Sequence, residues 1–308
     1  MSASQDHSPK ASFYTKDAVI PFLVNESNVR GRVARLEKAV DGILRRHDYP
    51  EPVSKALGEL LVIASMLASN LKRDGIFTVQ IKGNGPVPMF VVDAVYGGAL
   101  RGFADVKGEL GEVSQVTDMT GEGYIAITLD QDGERYQGIV ELKGEFFAEL
   151  IQQYFVQSQQ IDTFIHARIA ESLNTETKQK CWVAGGIMIE RLPEEEAGAE
   201  LSDAESKQRF EHAYALARTV SDGELLGTEL GLSDLLYRLY HEDGVWVYDA
   251  QLIEDKCRCS REKVEQALVT MPKADVKEMM EEGEVAVHCH FCNTHHRFND
   301  ADIDALFA

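Results

Sequence analysis

The chain has 308 residues, 44% of them hydrophobic, enough to bury a substantial core and to form two or three domains. Its formal net charge is -20, which argues against partners built on phosphate: nucleic acid first, anionic membranes second. The opening MSASQDHSPK lacks an apolar signal core, and the most apolar stretch, Leu57 to Leu71, is interrupted by Glu59, Ser65 and Asn70. Neither a targeting segment nor a membrane span is therefore expected, and the chain reads as cytoplasmic.

In chain order, PFLVNE and the stretch from Val29 read as strands. Leu36, Val40, Ile43 and Leu44 then fall at helical spacing, and His47-Asp48-Tyr49-Pro50 stops that helix. A second helix carries Leu57, Leu60, Leu61, Ala64, Leu67 and Leu71 on its apolar positions. Strands dominate next, in IFTVQI, PMFVVDAV, ALRGFA, YIAITL and RYQGIVEL, with turn signals at Gly83-Asn84-Gly85-Pro86 and Asp132-Gly133. A helix from Glu145 to Gln157 and strands near 161–170 and 181–190 complete a first part, residues 1–192. Runs of strands beside separate helices predict α+β, not a doubly wound sheet. Within it, Gly185-Gly186 reads as a close-packed strand position or a bulge. Cys181, alone beside Trp182, reads as a small buried apolar residue.

The charge changes after that point. Residues 1–192 carry 20 Lys+Arg against 25 Asp+Glu, residues 193–250 carry 4 against 14, and residues 251–308 carry 7 against 12. Half of the excess negative charge thus lies in a middle segment that opens with Leu192-Pro193-Glu194-Glu195-Glu196. Helical patterns follow there, at Phe210, Tyr214 and Ala217 and at Leu232, Leu235, Leu236 and Leu239. Stripes this thin on an acidic segment fold only when docked on something larger, so 193–250 is expected to be an acidic helical linker.

The last part, residues 251–308, is small enough to need a metal or disulfides. It holds four of the five cysteines, as a CxC pair (Cys257, Cys259) and a CxxC pair (Cys289, Cys292). A CxC puts both sulfurs on one side of an extended chain, and a CxxC folds back as a knuckle. Together they can close a tetrahedron around one zinc ion, and four thiolates leave no open position for substrate, which is the structural pattern. In a reducing compartment clustered cysteines mean metal or redox chemistry more often than structural disulfides. His288, His290, His295 and His296 are rival ligands in a mixed site, or surface residues of the knuckle. Phe291 and Phe298 are expected to pack a small core there.

At these cysteine pairs, with 29 residues between Cys259 and Cys289, the chain resembles the 33-kilodalton heat-shock family of redox-regulated chaperones. The resemblance extends through VRGRVARLE, ILRRHDYP, LGELLVIASMLASNLKRDGIFTVQIKGNGPV, RYQGIVEL, YFVQSQQI and AGGIMI, then LLYRLYHEDGVWVYD, CRCSREKVEQAL and HCHFCNTHHRF. It implies an ATP-independent holdase without enzymatic activity, inactive while reduced and bound to one zinc through Cys257, Cys259, Cys289 and Cys292. It implies that oxidative stress forms the disulfides Cys257–Cys259 and Cys289–Cys292, releases zinc and unfolds the linker. It further implies binding of unfolding client proteins, a monomer when reduced and a homodimer when oxidised, and hand-off of clients to ATP-dependent foldases.

Two other classes compete. A zinc-ribbon nucleic-acid binder is opposed by the -20 charge and by the lack of a basic patch near the cysteines. A CxxC thiol-disulfide oxidoreductase needs no second pair at ligand spacing.

Overall fold

The computed structural model describes residues 16–24, 28–173, 177–192 and 202–307. The polar start of the chain, Asn25 and Glu26 of the first expected strand, and Pro193-Glu194-Glu195-Glu196 lie outside those residues. The chain divides between Asp255 and Lys256 into two units.

In the first unit one helix is apolar nearly all round. Helix α1 (Lys38–Leu44) is followed by α2 (Glu51–Ala68), 13 of whose 18 residues are buried. A helix with no polar face must be enclosed, and α2 touches strands of two different sheets. The first sheet contains β1 (Ala18–Val24), β2 (Val29–Leu36), β8 (Thr163–Leu173), β9 (Lys180–Arg191), β10 (Val245–Val247) and β11 (Gln251–Leu252). Its order is β10-β1-β2-β9-β8, with β11 also pairing β1, and every pairing is antiparallel. The second contains β3 (Ile76–Gly83), β4 (Met89–Val95), β5 (Ala99–Asp105), β6 (Gly123–Gln131), β7 (Glu134–Glu141) and β12 (Glu254–Asp255). Its order is β12-β5-β4-β3-β6-β7, with β12 running parallel to β5. Helices α3 (Val116–Thr120) and α4 (Phe147–Ser158) complete this layer. The class is α+β, as expected. Helix α3 and strands β10 to β12 were not anticipated; at two to five residues none is long enough to show a period. No helix among the described residues is long and apolar enough to cross a membrane.

Glu59 links α2 to α4. Its Oε1 accepts the backbone N–H of Ala148 at 2.9 Å, in the first turn of α4. Burial raises its carboxyl to about 7, even though that bond and the nearby Arg168 pull it down. A carboxyl raised above its free value of 4.5 contributes stability that is complete below pH 4.5 and is lost as pH rises through 7. Glu59→Gln should therefore lose less stability than the parent between pH 5 and pH 8 in urea titrations. Equal losses would contradict the assignment.

The first sheet is buried on both faces, which explains the near-continuous apolar run of β9. Val19, Ala34, Leu36, Ala184 and Met188 join the α2 core. Ile20, Phe22, Val33, Ile187 and Ile189 face away from it, into a second core. That core is completed by the middle segment: α5 (Asp203–Ala217), α6 (Asp222–Leu226) and α7 (Leu232–Tyr240). Ala213, Ala217, Leu225, Leu232, Leu235, Leu236, Leu239 and Tyr240 are all buried there. The Tyr240 ring stacks on Phe22 at 5.6 Å. Capping boxes at Ser202/Glu205 and Ser221/Glu224 start α5 and α6. A five-residue helix such as α6 cannot stand alone, so its stability comes from docking.

Two residues of the sheet make that docking possible. Arg35 on β2 is fully buried, and its guanidinium donates to three backbone carbonyls of the middle segment: Leu225 at 2.8 Å, Leu230 at 3.0 Å and Glu224 at 2.7 Å. Burial lowers its pKa to about 10, so it remains charged near neutrality. Gly185 stands opposite Arg35 in the register of β2 and β9. A Cβ there would lie 2.6 Å from the Leu225 carbonyl oxygen, so the close-packed reading of this glycine holds. Gly186 faces the other core, where a Cβ would meet Met66 Cε at 2.8 Å. Cys181 is 6% exposed, and burial, with Glu37 and Asp41 nearby, pushes its thiol up. That fits the small buried residue expected.

The second unit holds α8 (Arg261–Leu268), α9 (Lys273–Glu278), a hairpin of β13 (Glu284–His288) and β14 (His295–Asn299), and α10 (Asp300–Leu306). Its core has five buried apolar residues: Leu268, Val276, Val285, Phe298 and Ile303. Phe298 is there as expected, whereas Phe291 is half-buried and outside that core.

Candidate metal centre

The CxC lies in extended chain just before α8. Ser260 caps that helix, its Oγ accepting the backbone N–H of Lys263 at 3.3 Å. The next residue, Arg261, fixes the helix to the hairpin. It lies over the Phe298 ring at 4.2 Å, donates to the Arg297 carbonyl at 2.7 Å and pairs with Asp302 at 3.1 Å. The CxxC lies in the loop that joins β13 to β14. Cys289 donates its N–H to Thr294 O at 2.9 Å, and Asn293 returns an N–H to Cys289 O at 2.9 Å. Asn293 has φ of 60°, the left-handed conformation that closes the knuckle and that Asn tolerates better than most residues.

This brings all four predicted ligands together. The sulfurs of Cys257, Cys259, Cys289 and Cys292 lie within 4.8 Å of one another, and each residue is half-buried. Two sulfur contacts run between the pairs: Cys257 to Cys289 at 3.7 Å and Cys259 to Cys292 at 3.3 Å. A tetrahedron with Zn–S near ~2.3 Å has sulfur–sulfur edges of about 3.8 Å. The donor set thus fits a tetrahedral ion, and soft thiolates favour zinc among the divalent ions of that geometry.

The four thiols are not equivalent. Burial, then hydrogen bonds from the other three sulfurs, pushes Cys259 far up. Burial also raises Cys289, against backbone N–H groups of Cys292 and Phe291 that favour its thiolate. At Cys292 burial acts the same way, but the Thr294 hydroxyl, 3.2 Å from Sγ, and the Thr294 N–H outweigh it and bring the thiol to about 6. The thiolate, the form that both binds metal and meets oxidants, is thus favoured at Cys292 over Cys259 and Cys289. The histidines considered as rivals stand outside the four-sulfur group.

Arg35, which seats the middle segment, was not singled out from sequence; Gly185 opposite it was, as a close-packed position, but not as part of that seat. Arg35 is one of three arginines in β2, so its burial has no local sequence signal; once buried, a guanidinium must find acceptors.

The protein-family model described as "Hsp33 protein" matches residues 17–299 of this chain. The chain is 37% identical over 293 residues to the 33 kDa chaperonin of Serratia proteamaculans, covering 94% of this chain and 95% of that protein. It is 37% identical over 289 residues to the 33 kDa chaperonin of Escherichia coli, covering 93% and 94% respectively. The fold is similar to the crystal structure of the 33 kDa chaperonin from Thermotoga maritima, with a TM-score of 0.78 at 24% identity, covering 94% of this chain and 97% of that one.

Proposed function

The chain belongs to the Hsp33 protein family, and on that premise we propose that it is a redox-regulated, ATP-independent holdase held inactive while its thiols are reduced and metal-bound. A chaperone role follows from the family. The observation that supports the switch is the set of four sulfurs within 4.8 Å of one another, in a unit whose described residues include five that are buried in its core.

Cys257, Cys259, Cys289 and Cys292 would hold one zinc ion. The ion would supply a cross-link between the CxC segment and the hairpin knuckle that adds to the unit's small core. The remaining chemistry belongs to the sulfurs. Each pair loses two electrons to a peroxide, which is reduced to water or an alcohol, and the new bonds are Cys257–Cys259 and Cys289–Cys292. A disulfide sulfur no longer carries the thiolate charge that holds a metal, so zinc is released and residues 256–308 lose their cross-link.

The functional division follows the sequence expectation: a core over 1–192, a switching linker over 193–250 and a redox unit over 251–308. Linker undocking would free Leu232, Leu235, Leu236, Leu239 and Tyr240 together with Phe22, Val33, Ile187 and Ile189 of the sheet beneath. Both faces offer apolar surface to unfolding clients, and the linker's 14 Asp+Glu against 4 Lys+Arg keep the opened chain soluble. The protein would act in the cytoplasm, as a monomer when reduced and a homodimer when oxidised, passing clients to ATP-dependent foldases. It would have no enzymatic activity, and neither nucleic acid nor membrane as partner.

One paired assay tests this. The reduced protein should carry one zinc and leave the light scattering of an unfolding client unchanged. After peroxide the zinc should be gone and scattering suppressed without ATP. Peptide mapping should place the bonds within the pairs and not across Cys259 and Cys292. Equal suppression by the reduced, zinc-loaded protein would end the switch reading.

A further inference from the structure

Between the linker and the CxC the chain crosses from one sheet to the other in five residues. Strand β11 adds to β1 of the first sheet, with Gln251 opposite Val19 and Leu252 opposite Ala18. Ile253 is buried in the α2 core, and its N–H goes to the carbonyl of Asp17 at 2.8 Å. Strand β12 then joins the second sheet. Glu254 donates its N–H to Gly98 O at 2.9 Å, and Glu254 and Asp255 run parallel to Ala99 and Leu100 of β5.

Three points of the first unit receive this strap. Gly98 has φ of 92°, and a Cβ there would lie 1.8 Å from the Leu252 carbonyl oxygen, so only glycine admits the crossing. Asp17 accepts the N–H groups of Glu37 and Ala39 through Oδ1, both at 2.9 Å, and that of Lys38 through Oδ2 at 3.1 Å. The residue that holds Ile253 thus also anchors the start of α1. Just beyond the other end of α1, Arg46 forms an ion pair with Asp255. That carboxylate packs against Gly42, where a Cβ would lie 2.7 Å from its Oδ2.

We propose that residues 251–255 are a latch that fixes the far end of the linker and passes to it the state of the chain beyond. The near end is fixed already: Asn28 Nδ2 donates to Leu192 O at 3.1 Å, and Arg191 pairs with Asp162 at 2.8 Å. With both ends held, an undocked linker is a closed loop that gains little entropy, so docking is favoured. Strands of two residues carry little stability of their own, so Ile253 and the Arg46–Asp255 pair supply most of the hold. Cys257 stands two positions past Asp255. When the chain from Lys256 onward unfolds, β12 becomes the edge of a mobile segment and frays first. Release of the latch frees one end of the linker, and an open-ended linker undocks more readily. The latch deepens the switch proposed above and rests on it for the signal; the hold itself belongs to the reduced chain.

Hydrogen exchange on the full-length, reduced, zinc-loaded protein tests this. Asp255→Asn and Arg46→Met each take one partner from a half-buried ion pair, and Gly98→Ala displaces Leu252. In all three, protection of the Ile253 and Glu254 amides and protection across 202–250 should fall together by about tenfold or more. Protection of β3 and β4 should stay parental, with one zinc per chain. The proposal is overturned if linker protection stays parental in the three variants, if it falls while Ile253 and Glu254 keep theirs, or if zinc is lost with it. A reduced parent that already suppresses client aggregation would end the switch reading and leave this exchange result standing.

Discussion

Removing the ion from the reduced protein is expected to unfold residues 256–308 while residues 16–192 stay folded. The reason is the ratio of core to metal. Domains gain roughly 0.05–0.15 kcal/mol of stability per residue, and this unit has five buried apolar residues to supply it. A structural zinc contributes about 10–16 kcal/mol of apparent free energy, more than the whole stability of a domain this size. Cys292→Ser should act like the chelator. It removes the sulfur of the proposed ligand set whose thiolate Thr294 favours and puts a harder, less acidic hydroxyl in its place. Amide hydrogen exchange reads the result directly. Protection across β13 and β14 should collapse in both cases, while β3 and β4 keep theirs. A metal-free protein with a protected hairpin would show that the five-residue core suffices.

The second large effect is expected at Arg35. Arg35→Met keeps the volume and the apolar stem but leaves the carbonyls of Glu224, Leu225 and Leu230 without their buried donor. An unsatisfied buried group costs about 1–3 kcal/mol, so the docked linker should lose roughly 3 kcal/mol or more. At 1.4 kcal/mol per tenfold, that is on the order of a hundredfold in the docking equilibrium. Gly185→Ala reaches the same contact from the neighbouring strand by steric means, since its Cβ would lie 2.6 Å from the Leu225 oxygen. Both variants should lose exchange protection across 202–250 while still reduced and zinc-loaded, and both should suppress client aggregation before any oxidant is added. Parental protection in Arg35→Met would remove the arginine from the docking account. Protection lost without holdase activity would separate linker release from client binding.

Local pattern made much of this legible. The apolar positions of α2, the hairpin at Asp132-Gly133 and the two cysteine pairs each signal through neighbours in sequence, and the cysteine spacing was enough to name four residues whose sulfurs do converge. What stayed hidden depends on partners far along the chain. Arg35 meets acceptors about 190 positions away, so nothing in VRGRVARLE tells a buried arginine from a solvated one. The docking of the linker on the sheet could be expected from its thin stripes, but which face it covers needed the register of β1, β2 and β9. The histidines show the same limit: His295 and His296 alternate faces in any strand, but only the structure shows that His296 shares the face of the buried Phe298.

The two-sided burial of the first sheet also makes the linker a thermometer. Its attachment is mostly apolar contact against Phe22, Val33, Ile187 and Ile189, and releasing it is a small unfolding reaction with a correspondingly large enthalpy. About 50 residues absorb roughly 35 kcal/mol on unfolding near 60 °C, which shifts the docking equilibrium about fivefold for each 10 °C. Warming therefore weakens the same contact that oxidation would undermine under the proposed switch. A chain built this way would multiply the two signals, so that an oxidant dose too small to open it in the cold would suffice when it is warm.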